Sequence, residues 1–183
     1  MPARVSAVHR GAIEVLGLDG SFRKIGLDHP GNGDDAEEWP PAVGDWIALS
    51  GVGPEESIAA ILPRRMSLSR PSASRRSTEQ AIAANVDVVA IVEPVQPEPA
   101  VGRIERFCAL AFSCGAKAWL ILTKADLVEA DRADALAAEL GAKVDEAFCV
   151  SSDNPASIAA VRDAWMPGET PSSSAGPAQE RPP

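Results

Sequence analysis

Ala118-Trp119-Leu120-Ile121-Leu122-Thr123-Lys124-Ala125-Asp126-Leu127 decides the reading of this sequence. Its apolar half has the length and character of a buried strand, and it runs without a break into a polar loop. A second run of the same kind, Val86 to Val92, precedes it. Between the two, Gly102 to Cys114 places Ile104, Phe107, Cys108, Leu110 and Ala111 on one helical face, with Gly115 as the stop. Beyond the loop the pattern predicts a helix from Glu129 to Leu140 ending at Gly141, a strand near Ala147 to Val150, and a helix after the cap candidates Asp153 and Asn154. Strands and helices in alternation predict a parallel sheet with crossover helices.

The amino-terminal part follows another rule. Arg4 to His9, Ala12 to Leu16 and Ser21 to Ile25 read as short strands divided by Arg10-Gly11 and Asp19-Gly20, the second pair being a hairpin signal. After a polar loop from Asp28 to Pro41, two more strands are expected, Asp45 to Ser50 and Glu56 to Leu62, around the turn Gly51-Val52-Gly53-Pro54. Five short strands predict a small barrel of the oligonucleotide-binding (OB) type. The fold class is therefore β followed by α/β: a five-stranded barrel over 1–62, a linker over 63–79, a partial parallel-sheet domain over 80–167 and a disordered tail over 168–183. The tail is expected because its composition collapses to Gly, Pro, Ser, Ala and charge.

Hydrophobic residues make up 45% of the 183, enough for an ordinary core, and the formal charge is −9. That charge argues against a chain coated with nucleic acid, but its distribution is uneven. Acids and no Lys or Arg lie between Lys24 and Arg64; Ser57 to Thr78 then holds Arg64, Arg65, Arg70, Arg75 and Arg76 and no acid. A Ser/Arg-rich linker reads either as a solvated connector or as a source of salt-sensitive phosphate contacts to RNA. Phe22 and Trp46 read either as barrel core or as base-stacking residues. His9 and His29 show no partner pattern. Cys108, Cys114 and Cys149 lack metal-ligand spacing and are odd in number, so reduced thiols are expected and no metal site is assigned. No run approaches the roughly 18 apolar residues of a membrane span, and the start lacks a signal-peptide stretch. A cytoplasmic monomer without a membrane partner is expected.

Thr123-Lys124-Ala125-Asp126 has the form of the Asn/Thr-Lys-x-Asp element that reads guanine. A carboxylate two residues past the Lys accepts both the ring N–H and the exocyclic amine of guanine, a donor pair that adenine lacks. The Lys stem then lies along the base. Val150-Ser151-Ser152, after the next strand, matches the second base-contacting loop, with Ser152 in place of the usual Ala. The competing reading is a solvated loop in which Asp126 caps a helix.

Val43-Gly44-Asp45-Trp46, Ile61 to Arg70, Ala83-Ala84-Asn85-Val86-Asp87, Arg103-Ile104-Glu105-Arg106-Phe107 and Thr123 to Asp126 occur in an order that resembles the ribosome small-subunit-dependent GTPase A family, over roughly Arg4 to Thr170. The resemblance implies an OB-type barrel joined to a circularly permuted P-loop GTPase domain, in which base-reading loops precede the phosphate loop. It also implies GTP or GDP as ligand, the small ribosomal subunit and its 16S rRNA as partner, and Mg and Zn in intact members. The guanine contacts carried over are Thr123, Lys124, Asp126, Ser151 and Ser152. Thr123 stands where the family more often has Asn.

No Gly-x-x-x-x-Gly-Lys-Ser/Thr occurs in the sequence, nor any Cys/His cluster of a zinc domain. Met166-Pro167-Gly168-Glu169-Thr170 resembles the approach to the family's phosphate-loop strand. Read from the third base of the Pro171 codon, serines written TCN become NTC codons for aliphatic residues or Phe. The rest then permits Gly-x-Ser-Gly-Ala-Gly-Lys-Thr if Arg181 is an AGR codon. A frameshift or a shortened protein is thus expected, with no catalytic residue, an incomplete sheet and little hydrolysis. The alternatives are a non-catalytic RNA- or ribosome-binding module and a frameshifted remnant whose sheet has an unpaired apolar edge.

Overall fold

The computed structural model describes residues 1–27, 40–70 and 80–175. The chain divides into two compact units, Met1–Asn85 and Val86–Pro183.

In the first unit β1 (Pro2–His9), β2 (Ala12–Gly17), β3 (Phe22–Gly26), β4 (Trp46–Ser50) and β5 (Ser57–Ile61) form one antiparallel sheet in the order β3-β2-β1-β4-β5. Alternation along each strand sends Val5, Ile13, Val15, Ile25, Ile47 and Ile61 into a common core. The outer strands meet through Arg23 Nη1, 2.7 Å from Glu56 Oε1. This is the OB-type arrangement that the turn spacing predicts.

Residues 63–79 are not all connector. β6 (Ser67–Arg70) pairs antiparallel with β7 (Gln80–Ala84), and Val43 bridges to Ala83. Ser/Arg composition gave no periodicity there because the pairing is main-chain, with Leu68, Ala83 and Ala84 as the buried members. Gly44 fits this contact at φ +91, where an added Cβ would stand 2.1 Å from the Ala84 carbonyl oxygen.

The second unit alternates β8 (Val88–Pro94), α1 (Val101–Ser113), β9 (Lys117–Thr123), α2 (Ala130–Gly141), β10 (Glu146–Cys149), α3 (Pro155–Ala164) and β11 (Pro171–Ala175). All pairings in its sheet are parallel, in the order β10-β9-β8-β11. Val88, Val89, Ala90 and Ile91 are all buried, as a strand covered on both faces requires. The chain steps outward from β8 to β10 and then returns to the far side of β8, which creates a topological switch point between β8 and β11.

β11 corrects two expectations: a disordered tail from 168 and an unpaired β8. Its first residues are tied down before the polar run begins. Asp87 N–H donates to Thr170 O at 2.9 Å, Thr170 N–H donates to Asp87 Oδ2 at 2.9 Å, and Lys117 Nζ lies 2.7 Å from Glu169 Oε1. The ladder then runs in register from Pro171 opposite Val88 to Ala175 opposite Val92. Composition reports side-chain burial, whereas this strand is held by its backbone and by the residues just before it. Residues 176–183 of the expected tail lie outside the described residues, as do His29 and most of the acidic loop.

Candidate guanine-reading site

The polar loop begins where β9 ends. Thr123 Oγ1 donates to Glu93 O at 3.4 Å and Val95 N–H donates to Thr123 O at 2.9 Å, so the end of β8 clamps the loop's first residue. Lys124 then turns the chain in the left-handed region (φ 59, ψ 37), a costly conformation for a residue with a Cβ. Ala125 to Leu127 forms a short 3-10 turn, and Ala125 N–H donates to Val150 O at 3.1 Å. The loop is thereby fixed to the carboxyl ends of two neighbouring strands.

Asp126 is exposed, and Ser151 Oγ donates to its Oδ1 at 2.6 Å. Ser151 is buried and is itself over-determined. Its N–H donates to Ser157 Oγ at 3.1 Å, its hydroxyl accepts from Asp153 N–H at 3.1 Å, and its carbonyl accepts from Asn154 N–H at 3.2 Å. The sequence reading makes Ser151 a guanine contact; in the structure its hydroxyl is joined to Asp126. Ser152 and Lys124 are both exposed. The helix-cap alternative for Asp126 is not what forms: α2 begins after Glu129, and no side chain caps it. A cavity of about 310 Å³ opens beside the loop, lined by Asp126, Ala130, Ala133, Cys149, Ser151 and Ser157. Burial pushes the Cys149 thiol up from its ordinary value, with nearby Asp134 adding to the shift.

Glu93 is missing from the sequence reading, and its partner Arg103 appears there only within a family motif. Glu93, 1% exposed, receives Arg103 Nε at 2.5 Å and Nη2 at 2.8 Å from α1. The signal was present, since a glutamate closing an otherwise apolar strand run needs a buried partner.

The five arginines separate. Arg64 forks onto the fully buried Asp45, with Nε 2.8 Å from Oδ1 and Nη2 2.7 Å from Oδ2, while Ala42 N–H donates to the same carboxylate. It is a structural cation of the barrel, so its assignment to RNA is corrected: the pairing geometry of a buried carboxylate leaves no sequence-local trace. Arg65 is exposed, its backbone N–H donating to Asn85 Oδ1 at 2.8 Å. Arg70 pairs through its main chain with Gln80, and Arg75 and Arg76 lie outside the described residues. Phe22 and Trp46, which read either as barrel core or as base-stacking residues, lie outside the core. His9 also finds a partner, with Nε2 3.1 Å from Glu14 Oε1. Among the described residues no helix is long and apolar enough to cross a membrane.

The family model described as RsgA GTPase matches residues 61–171. The chain is 37% identical over 134 residues to the small ribosomal subunit biogenesis GTPase RsgA of Streptomyces coelicolor, covering 70% of this chain and 34% of the relative. Against the protein of that name from Xanthomonas oryzae pv. oryzae it is 36% identical over 176 residues, or 91% of this chain and 45% of the relative. The chain thus spans less than half the length of these relatives. Two solved structures share the fold over 96% of this chain and 60% of theirs, each at 20% identity. They are YjeQ from Thermotoga maritima, at TM-score 0.70, and YloQ, described as a circularly permuted GTPase, at 0.67.

Proposed function

The chain belongs to the RsgA GTPase family, and from that premise we propose that it is the base-reading part of a GTPase acting on the small ribosomal subunit. The observation that carries this reading is the placement of Asp126. Its carboxylate is oriented by Ser151, in the loop after β9 at the carboxyl edge of the parallel sheet, the edge at which open α/β sheets take their ligands. In the proposal Asp126 accepts the two guanine N–H groups, Lys124 lies along the base, Thr123 anchors the loop, and the Ser152 backbone meets the guanine oxygen. In the proposal the sequence boundaries shift in two places: the barrel unit runs to Asn85 and takes in β6 and β7, and β11 joins the parallel-sheet unit.

The residues present fit the base but not the phosphates. Nothing in the sequence supplies a Gly-x-x-x-x-Gly-Lys-Ser/Thr cradle, the usual holder of phosphate oxygens and Mg. We therefore assign this polypeptide weak guanine recognition and little or no hydrolysis, and name no catalytic residue. A shifted reading frame after Thr170 accounts for the missing loop; the nucleotide sequence tests it, and a frame without Gly-Lys-Ser/Thr there refutes it. The partner assigned is the small subunit and its 16S rRNA, and the working state a cytoplasmic monomer.

The test is a heteronuclear NMR titration with millimolar guanosine monophosphate against adenosine monophosphate. Shifts at Lys124 to Asp126 and at Ser152 with the guanine nucleotide alone are expected. Equal responses to both, or none, overturn the site; sub-micromolar GDP affinity overturns the assignment of weak binding.

A further inference from the structure

The three helices of the second unit are anchored unequally. α1 buries Ile104, Cys108 and Ala111, and α2 buries Ala133, Leu136 and Leu140, whereas no residue of α3 is buried and its Ile158 is 50% exposed. A helix that buries no side chain gains little from packing and opens at low cost. There is also room beside it. The cavity of about 310 Å³ is lined by Asn154 and Ser157 at the start of α3 and by Ala130 and Ala133 of α2.

α3 is attached at both ends. At its start Ser157 Oγ accepts from Ser151 N–H at 3.1 Å and donates to Asn154 O at 2.6 Å, which joins the helix to the Ser151 to Asp126 bond. At its end the Trp165 ring lies 4.4 Å from the Trp119 ring, centre to centre, inclined at 39°. Phe148 meets the same indole at 5.4 Å but is fixed in the β10 ladder opposite Ile121, so Trp165 is the ring that can leave. The ring contact carries a built-in cost. Trp119 is 2% exposed, yet its Nε1 finds no acceptor among the described residues. A buried donor without a partner bears its full desolvation penalty, which narrows the gap to an arrangement that lets water in.

We propose that Trp165 is a positioning residue for guanine recognition: docked on Trp119 it seats α3, and α3 through Ser157 holds Ser151 and the Asp126 carboxylate in the base-reading arrangement. This deepens the guanine-site reading given above and rests on it. In the open arrangement Trp165 leaves Trp119, the indole N–H regains water, and Ser157 releases Ser151. Guanine selects the docked arrangement, because there Asp126 is oriented. Linkage makes the effect reciprocal, so whatever seats Trp165 raises guanine affinity by the factor by which guanine favours seating. Past Trp165 the chain is tied again, with Lys117 on Glu169 and Asp87 on Thr170, so opening is confined to α3 and leaves β11 in its ladder.

The experiment follows solvent exchange of the Trp119 indole N–H by NMR in the 183-residue chain, with guanosine monophosphate, with adenosine monophosphate and with neither. Saturating guanosine monophosphate is expected to slow this exchange about fivefold or more, and the adenosine nucleotide to leave it unchanged. Trp165→Ala should weaken guanosine monophosphate binding about fivefold or more, and Trp165→Phe, which keeps a ring on Trp119, should recover most of the loss. Guanine-selective shifts at Lys124 to Asp126 without any change in indole exchange overturn the proposal. So does unchanged affinity in a folded Trp165→Ala. A second arm needs no nucleotide and does not disturb the ring contact directly. Ser157→Ala, at the other end of α3, should speed the indole exchange about fivefold, whereas Phe112→Ala, at an exposed ring on α1, should not. Unchanged exchange in Ser157→Ala overturns the coupling even if Trp165→Ala fails to fold. If no guanine-selective shift occurs but Ser157→Ala speeds the exchange, the guanine reading fails and the coupling through α3 stands.

Discussion

Ser151 Oγ donates to Asp126 Oδ1 at 2.6 Å, joining two loops that follow different strands. In the proposed site this bond makes the carboxylate a fixed acceptor, because Ser151 is itself held by Asp153, Asn154 and Ser157. Pre-orientation cuts the entropy lost on binding. Ser151→Ala should therefore weaken guanosine monophosphate binding about tenfold or more, the low end for a hydrogen bond to a charged group (about 1.5 kcal/mol). NMR titration of the variant checks this, and an unchanged dissociation constant would show that Asp126 is oriented by other groups.

Arg64 is expected to behave as a core residue in spite of its place in a basic segment. Removing it leaves the Asp45 carboxylate, which is 0% exposed, without its cation. Arg64→Ala should cost about 3 kcal/mol of unfolding free energy, whereas Arg65→Ala, at an exposed side chain, should stay within about 0.5 kcal/mol. Urea unfolding of the two variants gives the comparison.

Acid should loosen β11 through Glu169. Its carboxyl is held below the usual range, first by the Lys117 ammonium and then by the Met166 backbone N–H. The Lys117 pKa is raised, chiefly by its hydrogen bond to Glu169. A lowered carboxyl pKa contributes stability that is present above the unfolded-state value and is lost as pH falls through the folded one. The raised lysine contributes below its ordinary value and loses that contribution as pH rises through the folded one. The pair is thus intact across neutrality and fails first on the acid side. Lys117 is half exposed, so solvent screening keeps the effect small. Amide shifts of Ser172 to Ser174 followed into the acid range should move in the unaltered chain and much less in Glu169→Gln.

Much of this architecture was legible because it is periodic. The core positions of β8, α1 and β9 follow directly from apolar runs and helical spacing, and Asp19-Gly20 marked its hairpin. The misses share one cause. β6, β7 and β11 are defined by backbone pairing, and Ser-rich stretches carry no record of which ladder they join. The Arg64 to Asp45 fork and the Ser151 to Asp126 bond each link residues that only the folded chain brings together. Thr123 to Asp126 could be recognised as a motif, but the left-handed Lys124 and the support behind Asp126 are properties of the fold.

The clamp on Thr123 yields the last prediction. Glu93 serves the loop with its backbone and the interior with its side chain. Its carbonyl accepts from Thr123 Oγ1, while its carboxylate is forked by Arg103. Arg103→Met strands a carboxylate that is 1% exposed, and should cost about 3 kcal/mol, the low end for a broken buried pair because Arg103 itself is 28% exposed. Replacing both residues, Glu93→Leu with Arg103→Met, removes the stranded charge, so much of the lost stability should return. The β8 main chain is kept in the double variant, and with it the Thr123 contact. Guanosine monophosphate binding should therefore recover together with stability. A double variant that regains its unfolding midpoint in urea but not its response to nucleotide would show that the ion pair acts on the loop by a route other than the Glu93 carbonyl.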